Sequence, residues 1–91
     1  MISVVGNIIP AVMHSLCHAY FSGDLNTAAR AQLGALALMD ASMAVVNPIP
    51  IKTMCAMMGL CREEFRLPLC PMLPAQRREL SDLLRHYGLA D

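Results

Sequence analysis

Asn47-Pro48-Ile49-Pro50-Ile51-Lys52 and Phe65-Arg66-Leu67-Pro68-Leu69-Cys70-Pro71-Met72 are the stretches on which the reading of this chain turns. Proline lacks an N–H donor and biases the residue before it toward extended geometry, so each stretch interrupts helix. Upstream of the first, Asp24 stands as an N-cap before a long helical run, with Leu25, Ala29, Leu33, Leu36 and Met43 along its length. Gly34 lies inside that run, where glycine costs about 1 kcal/mol relative to alanine, a cost that a close neighbour would justify. Further upstream, Pro10 suits a first helical turn, and Met13, Leu16, Cys17 and Tyr20 follow at the spacing of one buried stripe. Gly23 can end that helix in the left-handed conformation.

Downstream, Pro50 opens a short third helix through Met58, closed by Gly59. Leu60 to Pro74 has no periodicity and reads as loop. Pro74 then starts a last helix with Leu80, Leu83, Leu84 and Tyr87 inward, and Gly88 ends it. The remaining element is Ile2 to Val5, a β-favouring run apolar on both faces, as in a buried parallel strand. One strand alone leaves its backbone donors and acceptors unsatisfied, so it points to strands outside this chain. The expectation is one strand followed by four helices.

Composition points the same way. The 91 residues are 56% hydrophobic and 15% charged, against a usual share of about 25% charged. Residues 1–61 hold only Asp24, Arg30, Asp40 and Lys52 as charges; the remaining ten follow Cys61. A chain this short hides only about 60–65% of its unfolded surface, too little to bury so apolar a first two-thirds against itself. A segment that packs on further protein fits better than a self-contained domain. Net charge is zero, and the arginines Arg62, Arg66, Arg77, Arg78 and Arg85 alternate with Glu63, Glu64, Glu79 and Asp82. That mixture offers no basic stripe for nucleic acid. No charged region precedes the apolar start as in a secretory signal, and no apolar run reaches the ~20 residues that span a bilayer. A cytoplasmic protein is the expectation. Cys17, Cys55, Cys61 and Cys70 are then reduced, mostly buried apolar side chains.

The residues supply no catalytic constellation. His14 and His18 are four apart on a helix, close enough to share a metal, with Cys17 beside them, but no third ligand has a fixed spacing. No CxxC pair suggests zinc, and Met54, Met57 and Met58 around Cys55 read as core filler rather than a soft-metal site. Lys52 is the only lysine. Early in a helix after a double proline, it reads as an exposed ammonium or structural ion-pair partner rather than an imine-forming amine. Neither a metal nor a cofactor is expected.

Taken in order, Ile2-Ser3-Val4, Asn7, Pro10, Leu16-Cys17, Gly23-Asp24, Asn47-Pro48-Ile49-Pro50-x-Lys52, Gly59-Leu60, Arg66-Leu67-Pro68-Leu69 and Gly88-Leu89 resemble the C-terminal end of the dihydrodipicolinate synthase (4-hydroxy-tetrahydrodipicolinate synthase) family. The resemblance covers nearly the whole chain. It implies the last strand of a (β/α)8 barrel and its helix at residues 1–23, and a helical tail at residues 24–91, mainly α as the chain stands. In that family a lysine on an earlier strand forms an imine with pyruvate, and the enamine attacks aspartate semialdehyde in the lysine and diaminopimelate pathway. No catalytic residue carries over to this sequence. Ile2 alone matches a position that lines the pyruvate pocket, which agrees with the placement of barrel active sites at strand C-terminal ends. Lys52 matches the tail motif, not the imine lysine.

The resemblance further implies a homotetramer. Met1 falls inside the last-strand region, so a truncated copy, a split gene or a partial gene model is expected. Met43 and Val45 depart from the family's usual Phe and Glu, which removes any ion pair made by that glutamate. Two other readings compete: a small helical interaction module docking on a partner, and a related pyruvate-dependent aldolase of the N-acetylneuraminate lyase kind.

Overall fold

The computed structural model describes residues 1–90. Four α-helices account for the regular structure: α1 (Pro10–Phe21), α2 (Leu25–Ala41), α3 (Ile49–Met57) and α4 (Pro74–His86), preceded by a 3-10 turn at Val5–Asn7. The radius of gyration is 14.0 Å and the extents are 43 × 24 × 20 Å. A compact domain of this length would have a radius of about 12 Å, so the chain is drawn out.

The expected strand at Ile2 to Val5 does not form, and no strand occurs among the described residues. Without a neighbouring strand, the backbone satisfies itself locally. Asn7 N–H donates to Val4 O at 3.1 Å, Ile8 N–H and Ile9 N–H both donate to Val5 O at 2.9 Å, and Gly6 N–H donates to Ser3 Oγ at 3.2 Å. Val5, Ile8 and Ile9 are buried by this turn.

α1 begins at Pro10 and its C-cap Ser22 is followed by Gly23 at φ +90°. Met13, Leu16 and Ala19 are buried and Cys17 half-buried. Tyr20, expected in the same stripe, is 59% exposed. It lies in the last turn, edge-on to Phe21 at 5.6 Å between ring centroids. Asp24 caps α2 as expected: Oδ1 accepts from Thr27 N–H at 3.1 Å and Oδ2 from Thr27 Oγ1 at 2.7 Å. The short turn makes α1 and α2 antiparallel neighbours.

The side of α2 that faces inward carries small residues. Ala28, Ala35 and Leu38 are buried, whereas Leu25, Leu33, Leu36 and, just beyond the helix, Met43 are exposed. Alanine at the contact lets two helices approach closely, and the leucines on the opposite side are left without cover. No atom outside the helix lies within 4 Å of the position a Cβ would take at Gly34, so a close neighbour is not what the glycine admits. The contact there is to its carbonyl, which accepts a hydrogen bond from Tyr87 Oη and ties the end of α4 to α2.

α3 is the most deeply set helix, with Ile49, Pro50, Ile51, Thr53 and Met54 buried. Thr53 Oγ1 donates to Ile49 O at 2.7 Å, which satisfies the one polar group on its inner face. Gly59 at φ +80° ends it, and Leu60 N–H closes back to Cys55 O at 2.9 Å. Of the four X-Pro bonds in the quoted stretches, Asn47–Pro48 and Leu67–Pro68 are cis. α4 starts at Pro74, with Leu73 N–H donating to Gln76 Oε1 at 3.2 Å, and stops at Gly88 at φ +71°. Leu80 and Leu84 point into the core as expected, with Leu83 and Tyr87 half-buried. One apolar cluster joins the N-terminal turn to all four helices, through Ile8, Leu16, Leu38, Met54 and Leu84 among others.

Candidate functional site

Ile2 projects its whole side chain into solvent. Together with Ser3, Val4, Met39, Ser42 and Met43 it borders a groove of about 420 Å³ between the N-terminal segment and the end of α2. Its polar side chains are the hydroxyls of Ser3 and Ser42 and the carboxamide of Gln32.

Lys52 is half-buried on α3, with Nζ 5.5 Å from the centroid of the Phe65 ring. A cation over an aromatic face at that distance is a stabilising contact of about 0.5–1 kcal/mol at a partly exposed site. The sequence names Lys52 and Phe65 as parts of two separate motifs. Folding makes them one structural unit that docks the loop onto α3. Arg77 of α4 secures the same loop: its guanidinium meets Glu63 Oε1 at 2.9 and 3.0 Å. Neither partnership was signalled in the sequence beyond the mixed charge of residues 62–91. Val45 is half-buried against the core cluster, so an apolar side chain is suited there.

His14 and His18 stack on the exposed side of α1 with ring centroids 6.2 Å apart. Among the described residues no three side chains of the His, Cys, Asp and Glu types converge on a metal position. The cysteines are free thiols. Cys17 and Cys55 are half-buried, while Cys61 and Cys70 are exposed, contrary to the expectation that most are covered. The two exposed ones lie in the loop between α3 and α4, which has too few apolar contacts to enclose them. Burial pushes the Cys55 thiol above its ordinary pKa, with the nearby Cys61 adding to the effect.

A wider cleft of about 580 Å³ runs between the C-terminal half of α2 and α4, floored by Ala37, Ala41, Leu80 and Leu83 and rimmed by Asp40 and Glu79. These residues offer no nucleophile beside a base. Together, fold and surface define a class: an α-helical unit with large apolar side chains turned outward and no activated nucleophile among its described residues.

Comparison with known proteins gives the class its family. The family model of the dihydrodipicolinate synthetase family matches residues 1–87. The 4-hydroxy-tetrahydrodipicolinate synthase of Geobacter sulfurreducens is 43% identical over 89 residues, and that of Pelobacter propionicus 44%. Each match covers 98% of this chain and 31% of the relative. The crystal structures of dihydrodipicolinate synthase from Aquifex aeolicus and from Thermotoga maritima both superpose with a TM-score of 0.94 at 38% identity. They cover 97% and 98% of this chain, and the match takes up 30% of each of those chains. The chain belongs to the dihydrodipicolinate synthetase family, and it spans about a third of the length of the relatives it matches.

Proposed function

We propose that this chain is the C-terminal portion of a 4-hydroxy-tetrahydrodipicolinate synthase, a lyase of lysine and diaminopimelate biosynthesis that condenses pyruvate with aspartate semialdehyde through a lysine imine. Residues 1–23 are the last βα unit of the (β/α)8 barrel, and residues 24–91 are the helical tail. Ile2 lines the pyruvate pocket. The imine lysine and the proton-relay groups belong to earlier strands, so the chain alone is inert. The assembled protein is a cytoplasmic homotetramer.

The observation that carries this reading is the mismatch between surface and composition. Ile2, Phe21, Leu25, Leu33, Leu36, Met43 and Leu67 are all more than 40% exposed in a unit drawn out to 43 Å. Large apolar side chains left exposed in such number support a contact with further protein. Among the described residues no helix is long and apolar enough to cross a membrane.

The test is complementation. The first two-thirds of the Geobacter sulfurreducens synthase is co-expressed with this chain, and synthase activity and borohydride trapping of a pyruvate imine are measured. A stable complex with trapped imine is expected, and each half alone should give neither. A chain that is a cooperative monomer alone and does not join the barrel portion would refute the proposal.

A further inference from the structure

α3 ends in a tight reversal. Gly59 stands at φ +80° and Leu60 N–H returns to Cys55 O at 2.9 Å, turning the chain back along the last helical turn. The next residue, Cys61, sets its Sγ 3.8 Å from Lys52 O, the carbonyl three residues before Cys55. In a helix, a γ atom three or four residues on can reach back to such a carbonyl. This chain does so twice: Ser42 Oγ donates to Met39 O at 2.6 Å, and Thr53 Oγ1 to Ile49 O at 2.7 Å. In the same back-bonding rotamer, Cys55 brings its sulfur beside the oxygen that Cys61 Sγ already faces. Cys55 is half-buried and Cys61 exposed.

We infer that Cys55 and Cys61 are a redox pair, which a low-molecular-weight disulfide converts into one intramolecular disulfide bond. The exposed Cys61 reacts first. Its thiolate attacks one sulfur of R–S–S–R, forming a mixed disulfide with Cys61 and releasing RS⁻. The Cys55 thiolate then attacks Cys61 Sγ, the Cys55–Cys61 bond forms, and the second RS⁻ leaves. The two protein thiols give up two protons, which the two RS⁻ ions take. The protein is oxidised by two electrons and the reagent reduced by two. Burial and the charge of Cys61 both hold the Cys55 thiol protonated, and capping Cys61 removes the second effect before Cys55 has to ionise. An accessible first thiol beside a resolving one is the arrangement of redox-sensing cysteines. Just past the ring, Arg77 holds Glu63 and Lys52 meets Phe65, so oxidation fixes the root of the loop that ties α4 to α3. All these residues lie in the tail, outside the segment proposed to complete the barrel.

The 91-residue chain is equilibrated with reduced and oxidised glutathione, alkylated, digested and mapped by mass spectrometry. A Cys55–Cys61 link is expected as the main internal product, with Cys17 a free thiol and the link reversed by a dithiol reductant. Residues this close in sequence also pair in an unfolded chain, so the same equilibration is run in urea. The effective concentration of the pair should be at least about tenfold higher in the native chain, and oxidation should therefore raise the melting temperature. A Cys61–Cys70 link as the main product would overturn the pair. So would a glutathione-capped Cys61 beside a Cys55 that stays a thiol, or an equal effective concentration in urea. Every readout uses the unaltered sequence, so no variant has to fold.

Discussion

Replacing Leu84 by alanine tests the packing of α4 most directly. Leu84 is fully buried and belongs to the cluster that contains Met54 and Leu80. Truncating a buried leucine costs about 2–5 kcal/mol, combining lost transfer energy with the cavity left behind. A chain of 91 residues has a total stability of roughly 5–14 kcal/mol, at ~0.05–0.15 kcal/mol per residue. A loss of about 3 kcal/mol then lowers the melting temperature by about 12–24 °C, at ~4–8 °C per kcal/mol for a domain of this size. Leu83 is only half-buried, so Leu83→Ala should cost less than Leu84→Ala. Leu33→Ala serves as the control, because that side chain is 69% exposed and should change stability by about 0.5 kcal/mol or less. The assay is urea and thermal unfolding followed by circular dichroism at 222 nm. Leu84→Ala melting within about 4 °C of the parent would refute the inward packing of α4. A Leu33→Ala cost equal to that of Leu84→Ala would show that the outer face of α2 is covered in the isolated chain.

Tyr87→Phe removes the hydroxyl that bonds to Gly34 O, and should destabilise by about 1 kcal/mol, read as a lower urea midpoint. Gly34→Ala should stabilise by about 1 kcal/mol, since the site is helical with open space where the Cβ would stand; a lower melting temperature would mean that something packs there. Asp24→Ala should lower the melting temperature at pH 7 by removing the cap of α2. Hydrogen bonds from the Thr27 hydroxyl and backbone N–H hold the Asp24 carboxyl below its ordinary pKa. Its contribution is therefore present above the unfolded value of about 3.9 and is lost as pH falls through the folded value, so the deficit of Asp24→Ala should vanish in acid.

Local signals in the sequence located the helices well. Pro10, Pro50 and Pro74 open helices, Gly23, Gly59 and Gly88 end them, and Asp24 caps one, because each device acts through the chain's own neighbouring atoms. The inward set of α4 followed from its spacing for the same reason. The order of motifs was equally legible, and it carried the family. Tertiary structure alone decided three things. It turned Ala28, Ala35 and Leu38 of α2 inward and left Leu33 and Leu36 outside, a choice made by how closely α1 can approach. It brought Phe65 under Lys52, Tyr87 to Gly34 and Met1 to Cys17, pairs far apart along the chain. It also left Ile2 to Val4 outside any strand and began a 3-10 turn at Val5, where the sequence reads as strand from Ile2 to Val5. A helix completes its hydrogen bonds within itself and can be read locally, whereas a strand exists only beside another strand, and these residues have none to pair with.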